Sequence, residues 1–138
     1  MYFKLNIVSF KKKIFSNNIR SVKIPGIKGA LSIYPNHSPL LTFIKFGVIY
    51  IIKKNKKIEY IYINNGILEI QPKITNILAN GSGYIKDLNL KNLINTKNLI
   101  EKSYKNIKFN NINLKIKKKY ENILKKIIFF KKYKKNIV

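Results

Sequence analysis

Ile58-Glu59-Tyr60-Ile61-Tyr62-Ile63-Asn64-Asn65-Gly66-Ile67-Leu68-Glu69-Ile70 decides how the fold is read. Two runs rich in isoleucine and tyrosine, each of strand length, flank Asn65-Gly66. Both of these residues tolerate the positive φ of a type I′ turn, so the pair is the strongest short hairpin signal in the chain. The pattern repeats outward. Towards the N-terminus, Asn55-Lys56-Lys57 separates Ile58–Ile63 from Val48–Lys53 as a hairpin would, and Lys45-Phe46-Gly47 predicts a turn before it, after Leu40–Ile44. Towards the C-terminus, Pro72 separates Ile67–Ile70 from Ile74–Leu78. At the start of the chain Tyr2–Phe10 alternates, with Phe3, Leu5 and Ile7 on one face. Asn17-Asn18 predicts a turn, Ile19–Ile24 runs to Pro25-Gly26, and Leu31–Tyr34 is a further short apolar run. Pro35-Asn36-His37-Ser38-Pro39 is a loop held by two prolines. Short strands at close spacing with turn signals between them predict an antiparallel sandwich or barrel.

The period changes after Gly81-Ser82-Gly83, which reads as an interdomain hinge. Beyond it proline and glycine disappear. Leu90, Leu93, Ile94, Ile100, Tyr104 and Ile107 fall on one helical stripe, with Asn89 as N-cap and Asp87 adding favourable charge near that end. Asn110-Asn111 predicts a break. Ile116, Tyr120, Ile123, Leu124, Ile127 and Phe130 make a second stripe, and two such helices form an αα-hairpin. The expected class is therefore α+β: an antiparallel β-body over residues 1–84, then a two-helix hairpin over 85–138.

The chain has 138 residues and a net charge of +24, with Arg20 the only arginine among 29 cations. A cation set that is lysine but for Arg20 argues against bidentate reading of bases or phosphates. Lys, Asn and Ile share A/T-rich codons, so an AT-biased genome accounts for the composition without selection for charge. The alternative reading is a basic RNA-binding protein. However, Lys45-Phe46-Gly47-Val48-Ile49-Tyr50 has the wrong order of glycine and aromatics for an RNA-recognition sheet. There is no cysteine, no apolar run near the ~18 residues of a membrane span, and no unbroken apolar stretch of a secretory signal at the N-terminus. A soluble protein of the cytoplasmic compartment is expected.

Catalytic chemistry has few candidates. One histidine, His37, and five scattered acids (Glu59, Glu69, Asp87, Glu101, Glu121) do not make a triad, a carboxylate pair or a metal cage. No phosphate-binding glycine loop is present. An enzyme, a metal and a cofactor are not expected. His37 reads either as a plain loop residue or as a contact on a rigid loop. On the second helix Lys117–Lys119, Lys125-Lys126, Lys131-Lys132 and Lys134-Lys135 lie opposite the apolar stripe, either as a solvated face or as a match for an acidic partner.

Gly29-Ala30-Leu31-Ser32-Ile33-Tyr34-Pro35-Asn36-His37-Ser38-Pro39-Leu40-Leu41-Thr42 resembles the signature G-E-L-G-I-x-P-x-H-A-P-L-L-T of the F-type ATP synthase epsilon subunits. Ile61-Tyr62-Ile63-Asn64-Asn65-Gly66-Ile67-Leu68-Glu69-Ile70-Gln71-Pro72 resembles that family's I-Y-V-S-G-G-I-L-E-V-Q-P. Leu5 to Ser9 with Ile14-Phe15-Ser16, and Leu78-Ala79 with Asp87-Leu88, are similar to further blocks in the same order. The helical tail matches in length and pattern only. The resemblance implies a β-sandwich of about ten strands followed by a helical hairpin. It implies a non-catalytic rotor subunit that couples proton flow through the c-ring to ATP synthesis, peripheral to the cytoplasmic face of a bacterial inner membrane.

The implied partners are the gamma subunit, the c-ring and the beta subunits of the catalytic head. Ser9, His37 and Thr42 fall at positions that lie near gamma. Ile27, Lys28, Gly29 and Ala30 fall where the family meets the c-ring, with Ala30 in place of the family's glutamate. The lysines Lys118, Lys125, Lys126 and Lys132 form the face for an acidic partner, through which the hairpin would restrain ATP hydrolysis. Leu88-Asn89-Leu90-Lys91-Asn92-Leu93 lacks the aspartate and arginine of the ATP motif L-D-x-x-R-A, so no bound ATP is expected.

Overall fold

The structure, a computed structural model, describes residues 1–10, 12–105, 107, 108 and 111–133. The chain forms two compact units, Met1–Tyr84 and Ile85–Val138. In the first unit nine strands are found among the described residues, against about ten expected: β1 Phe3–Ser9, β2 Lys12–Gly26, β3 Gly29–Ile33, β4 Leu40–Ile44, β5 Gly47–Lys53, β6 Ile58–Ile63, β7 Gly66–Ile70, β8 Ile74–Ala79 and β9 Ser82–Tyr84. They make a β-sandwich. One layer runs β4, β7, β8, β1, with β1 parallel to β8; the other runs β3, β2, β5, β6, β9.

The 15-residue β2 belongs to both layers. Its first half pairs with β1 and its second half with β5 and β3. A register shift between Ile19 and Ser21 marks the bulge where it passes from one to the other. The turn expected at Asn17-Asn18 is therefore absent. Those residues pair with Leu5 and Lys4 inside the ladder, and the chain reverses earlier, after Phe10, which takes a φ of 48°. Local asparagine preference loses to a continuous ladder with β1.

Asn65-Gly66 is a second correction. β6 pairs with β5 and β9, while β7 pairs with β4 and β8, so no hairpin joins β6 to β7. The chain crosses there from one layer to the other. Gly66 is needed for a close approach: a Cβ would collide with the Leu78 carbonyl oxygen and stand 3.1 Å from Ala79 Cα. The hairpin at Asn55-Lys56-Lys57 does form, with Lys53 N–H donating to the Lys57 carbonyl and Lys56 at a φ of 68°. Gly81-Ser82-Gly83 departs from its hinge expectation, since Ser82–Tyr84 is the strand β9, paired with β6.

The two inner faces supply the core. Leu5, Ile7, Leu68, Ile70 and Ile77 come from one layer, and Ile24, Ile33, Ile49, Ile51, Ile61 and Ile63 from the other. Alternation drives this, because every second residue of each strand points inward.

The second unit holds a 3₁₀ turn, Ile85–Asp87, and two helices, α1 Leu90–Ser103 and α2 Leu114–Tyr133, packed on one another. Asn89 caps α1 as expected, its Oδ1 accepting the Asn92 N–H at 3.1 Å. Asn113 serves α2 in the same way, accepting from Lys115 N–H at 2.8 Å. Of the expected break, Asn110 lies outside the described residues; Asn111 is in the connection. Tyr120 Oη donates to Glu101 Oε1 at 2.6 Å across the helix pair, and Lys97 Nζ lies 3.3 Å from the same oxygen. No described helix is long and apolar enough to cross a membrane.

Candidate docking face

Strand alternation turns Leu41 and Phe43 of β4, Ile67 and Glu69 of β7, and Asn76 and Leu78 of β8 away from the core, together with Asn6 and Val8 of β1. The register lines them into two rows across the strands. Phe43, Ile67, Leu78 and Val8 form one. Leu41, Glu69, Asn76, Asn6 and Ser16 form the other, crossing four strand gaps or about 19 Å at ~4.8 Å each.

The first row is apolar and open to solvent. Phe43 is 61% exposed and Leu78 60%; at the end of the second row Leu41 reaches 70%. Exposed apolar side chains adjoining across neighbouring strands make this row a candidate interaction surface. A shallow groove of about 460 Å³ runs along it between Ile27, Phe43, Ile67 and Leu78, and another of about 420 Å³ lies by Pro39, Leu41, Glu69 and Pro72.

The second row is a hydrogen-bonded ladder. Ser16 Oγ donates to Asn6 Oδ1 at 2.7 Å, Asn6 Nδ2 donates to Asn76 Oδ1 at 3.0 Å, and Asn76 Nδ2 donates to Glu69 Oε1 at 3.1 Å. The two amides thereby have their orientations set, and the ladder ends on a carboxylate.

The expected contact residues do not share one surface. Ser9 is 4% exposed at the end of β1, where its Oγ accepts the Gly81 N–H at 3.1 Å; it holds the approach to β9. Thr42 is half-buried and pairs with the fully buried Leu68, on the opposite side of β4 from Leu41 and Phe43. His37 sits in the proline loop, half-buried, with Nδ1 donating to the Ser38 carbonyl at 2.7 Å. The loop is tied to the β7–β8 turn by Asn36 N–H and the Pro72 carbonyl. Ile27, Lys28, Gly29 and Ala30 are all exposed in the β2–β3 turn, at the other end of β4, where Ile27 N–H reaches the Phe43 carbonyl.

On α2, Lys118, Lys125 and Lys132 are exposed and recur every seven residues, so they follow one stripe. Lys126 leaves that stripe and is half-buried; desolvation holds its ammonium below the usual lysine range. Lys134 and Lys135 lie outside the described residues. Burial likewise pushes the Tyr62 phenol up. The hydrogen bond from Tyr120 holds the Glu101 carboxyl below its ordinary 4.5, and the same bond raises Tyr120. No group of three acids or histidines able to hold a metal occurs among the described residues.

Phe43, Ile67, Leu78 and Glu69 were not among the sequence-derived candidates. A signal for Phe43 is present: Leu40–Ile44 is apolar on both faces but for Thr42, more than a half-exposed antiparallel strand requires.

A two-layer β-sandwich with an exposed apolar row on one outer face, followed by a helical hairpin, is the class of protein that the structure defines. Residues 2–82 match the ATP synthase Delta/Epsilon chain beta-sandwich domain, and the chain belongs to that family. Among solved structures, the fold is similar to a chain of the Euglena gracilis mitochondrial ATP synthase OSCP/F1/c-ring assembly. The TM-score is 0.71 and the identity 10%, over 95% of this chain and 79% of that one. It is also similar to a chain of the Tetrahymena thermophila mitochondrial ATP synthase central stalk and c-ring, with TM-score 0.53 and 12% identity over 96% of each.

Proposed function

We propose that this chain is a non-catalytic subunit of the central stalk of a proton-driven F-type ATP synthase. It sits on the gamma subunit and the c-ring and turns with them, coupling proton flow to ATP synthesis in the catalytic head. The family match over residues 2–82 supports this place in the machine. The observation that carries it is the exposed row Phe43, Ile67 and Leu78, which a gamma subunit would cover. Torque passes through a stiff, shape-matched contact, and a strand-borne apolar row is stiffer than a loop.

The loop Ile27–Ala30 is the c-ring contact, and His37 with Thr42 flanks the gamma contact. Ser9 acts behind it, by holding Gly81. The stripe Lys118, Lys125 and Lys132 faces acidic segments of the beta subunits and restrains ATP hydrolysis. The subunit is peripheral to the membrane, on the cytoplasmic face of a bacterial inner membrane.

Co-expression with the gamma subunit of the same organism tests the proposal. The expected result is a complex that survives 0.5 M salt on size exclusion, because apolar burial is not screened. A chain that elutes apart from gamma, and instead retains RNA that salt strips off, would refute it.

A further inference from the structure

We infer that Glu69 is the specificity anchor of this face and receives one cationic side chain, a lysine or arginine, of the gamma subunit. The inference rests on the docking proposed above and adds its polar contact. The chain carries 29 cations and five acids, so an exposed carboxylate is expected to find a lysine. Glu59 does so with Lys53, and Glu101 with Lys97, whereas Asp87 and Glu121, both in the second unit, have no ion pair among the described residues. Glu69, in the first unit, finds no lysine either: among the described residues its partner is Asn76, which uses Oε1 alone.

Three features suit this carboxylate to an incoming cation. The ladder Ser16–Asn6–Asn76 holds it from one side, which reduces the side-chain entropy lost on binding. It lies in the same transverse row as Leu41 and two residues along β7 from Ile67, so a partner that covers the apolar row also desolvates the carboxylate. The groove of about 420 Å³ beside it is lined by Pro39, Leu41 and Pro72, a surface for the aliphatic stem of a lysine or arginine whose head reaches Oε2. A neutral or acidic partner residue would leave a desolvated charge unpaired, and that penalty excludes wrong partners. With most of the surface basic, a cation on the partner is repelled elsewhere and received here.

The test is titration of the full chain with the purified gamma subunit between 50 and 300 mM salt. Glu69→Gln keeps an oxygen for Asn76 Nδ2, so folding and the apolar row are preserved. It is expected to weaken binding about tenfold and to flatten the salt dependence. Glu69→Lys is expected to weaken it by a further factor of about ten through like-charge contact. Asn76→Ala leaves the charge but frees it; a loss of about threefold with the wild-type salt slope retained is expected for a positioning residue. Wild-type affinity and an unchanged salt slope in Glu69→Gln would overturn the inference while leaving the docking proposal intact. Failure of the unmodified chain to bind gamma at all would overturn both.

Discussion

Phe43→Ala separates docking from folding. The Phe43 ring sits on the outer face of β4, 61% exposed, paired with Ile67 across β7. A phenylalanine presents roughly 200 Å² of surface, so about 120 Å² of it still faces solvent. Covering that area with a partner at ~25 cal/mol per Å² is worth about 3 kcal/mol. Alanine keeps only the Cβ, so truncation removes about 2 kcal/mol, a factor of about 30 in Kd. Since interface area converts imperfectly to affinity, the expected loss is about 10- to 100-fold. Folding loses only the cross-strand contact with Ile67, about 1 kcal/mol at most. Calorimetric titration with the gamma subunit reads the first quantity, and urea unfolding of the isolated chain reads the second. Leu68→Ala, one strand over but fully buried, is the opposite control, costing about 2–5 kcal/mol of stability. A Phe43→Ala chain that binds within threefold of wild type, or that loses several kcal/mol of stability, would refute the assignment of this row to docking.

Gly66→Ala forces a Cβ against the Leu78 carbonyl and is expected to cost about 2 kcal/mol, seen as a lower urea midpoint at unchanged slope. The Tyr120–Glu101 bond ties α1 to α2 with a defined pH window. Glu101 titrates below its ordinary 4.5, so its contribution is present above that value and is lost as pH falls through the lowered one; Tyr120 titrates above its ordinary 10.0, so its contribution is lost as pH rises through the raised one. Helicity measured by circular dichroism is expected to fall slightly at both ends of this window in the wild type, and Tyr120→Phe is expected to reduce the alkaline step. Removal of residues after Asp87 is expected to raise the ATP hydrolysis rate of the assembled complex. An unchanged rate would assign the helices a structural role only.

Sequence alone determined the things that depend on period. Alternation around Phe3, Leu5 and Ile7 marked inward faces, the change to a helical stripe at Leu90 marked the second unit, and Asn89 marked its cap, because these are local consequences of strand and helix geometry. Collinear motifs from Leu5 to Leu88 carried the family resemblance. Tertiary structure decided which strands are neighbours. Asn17-Asn18 and Asn65-Gly66 have the right residues for turns, yet one pair lies inside β2 and the other at a crossing between layers. Turn preference is worth little beside a ladder of hydrogen bonds and a buried face, both of which depend on residues far along the chain. The rows on the outer face were hidden for the same reason. Leu41, Glu69, Asn76, Asn6 and Ser16 become one row only when β4, β7, β8, β1 and β2 are laid side by side in register.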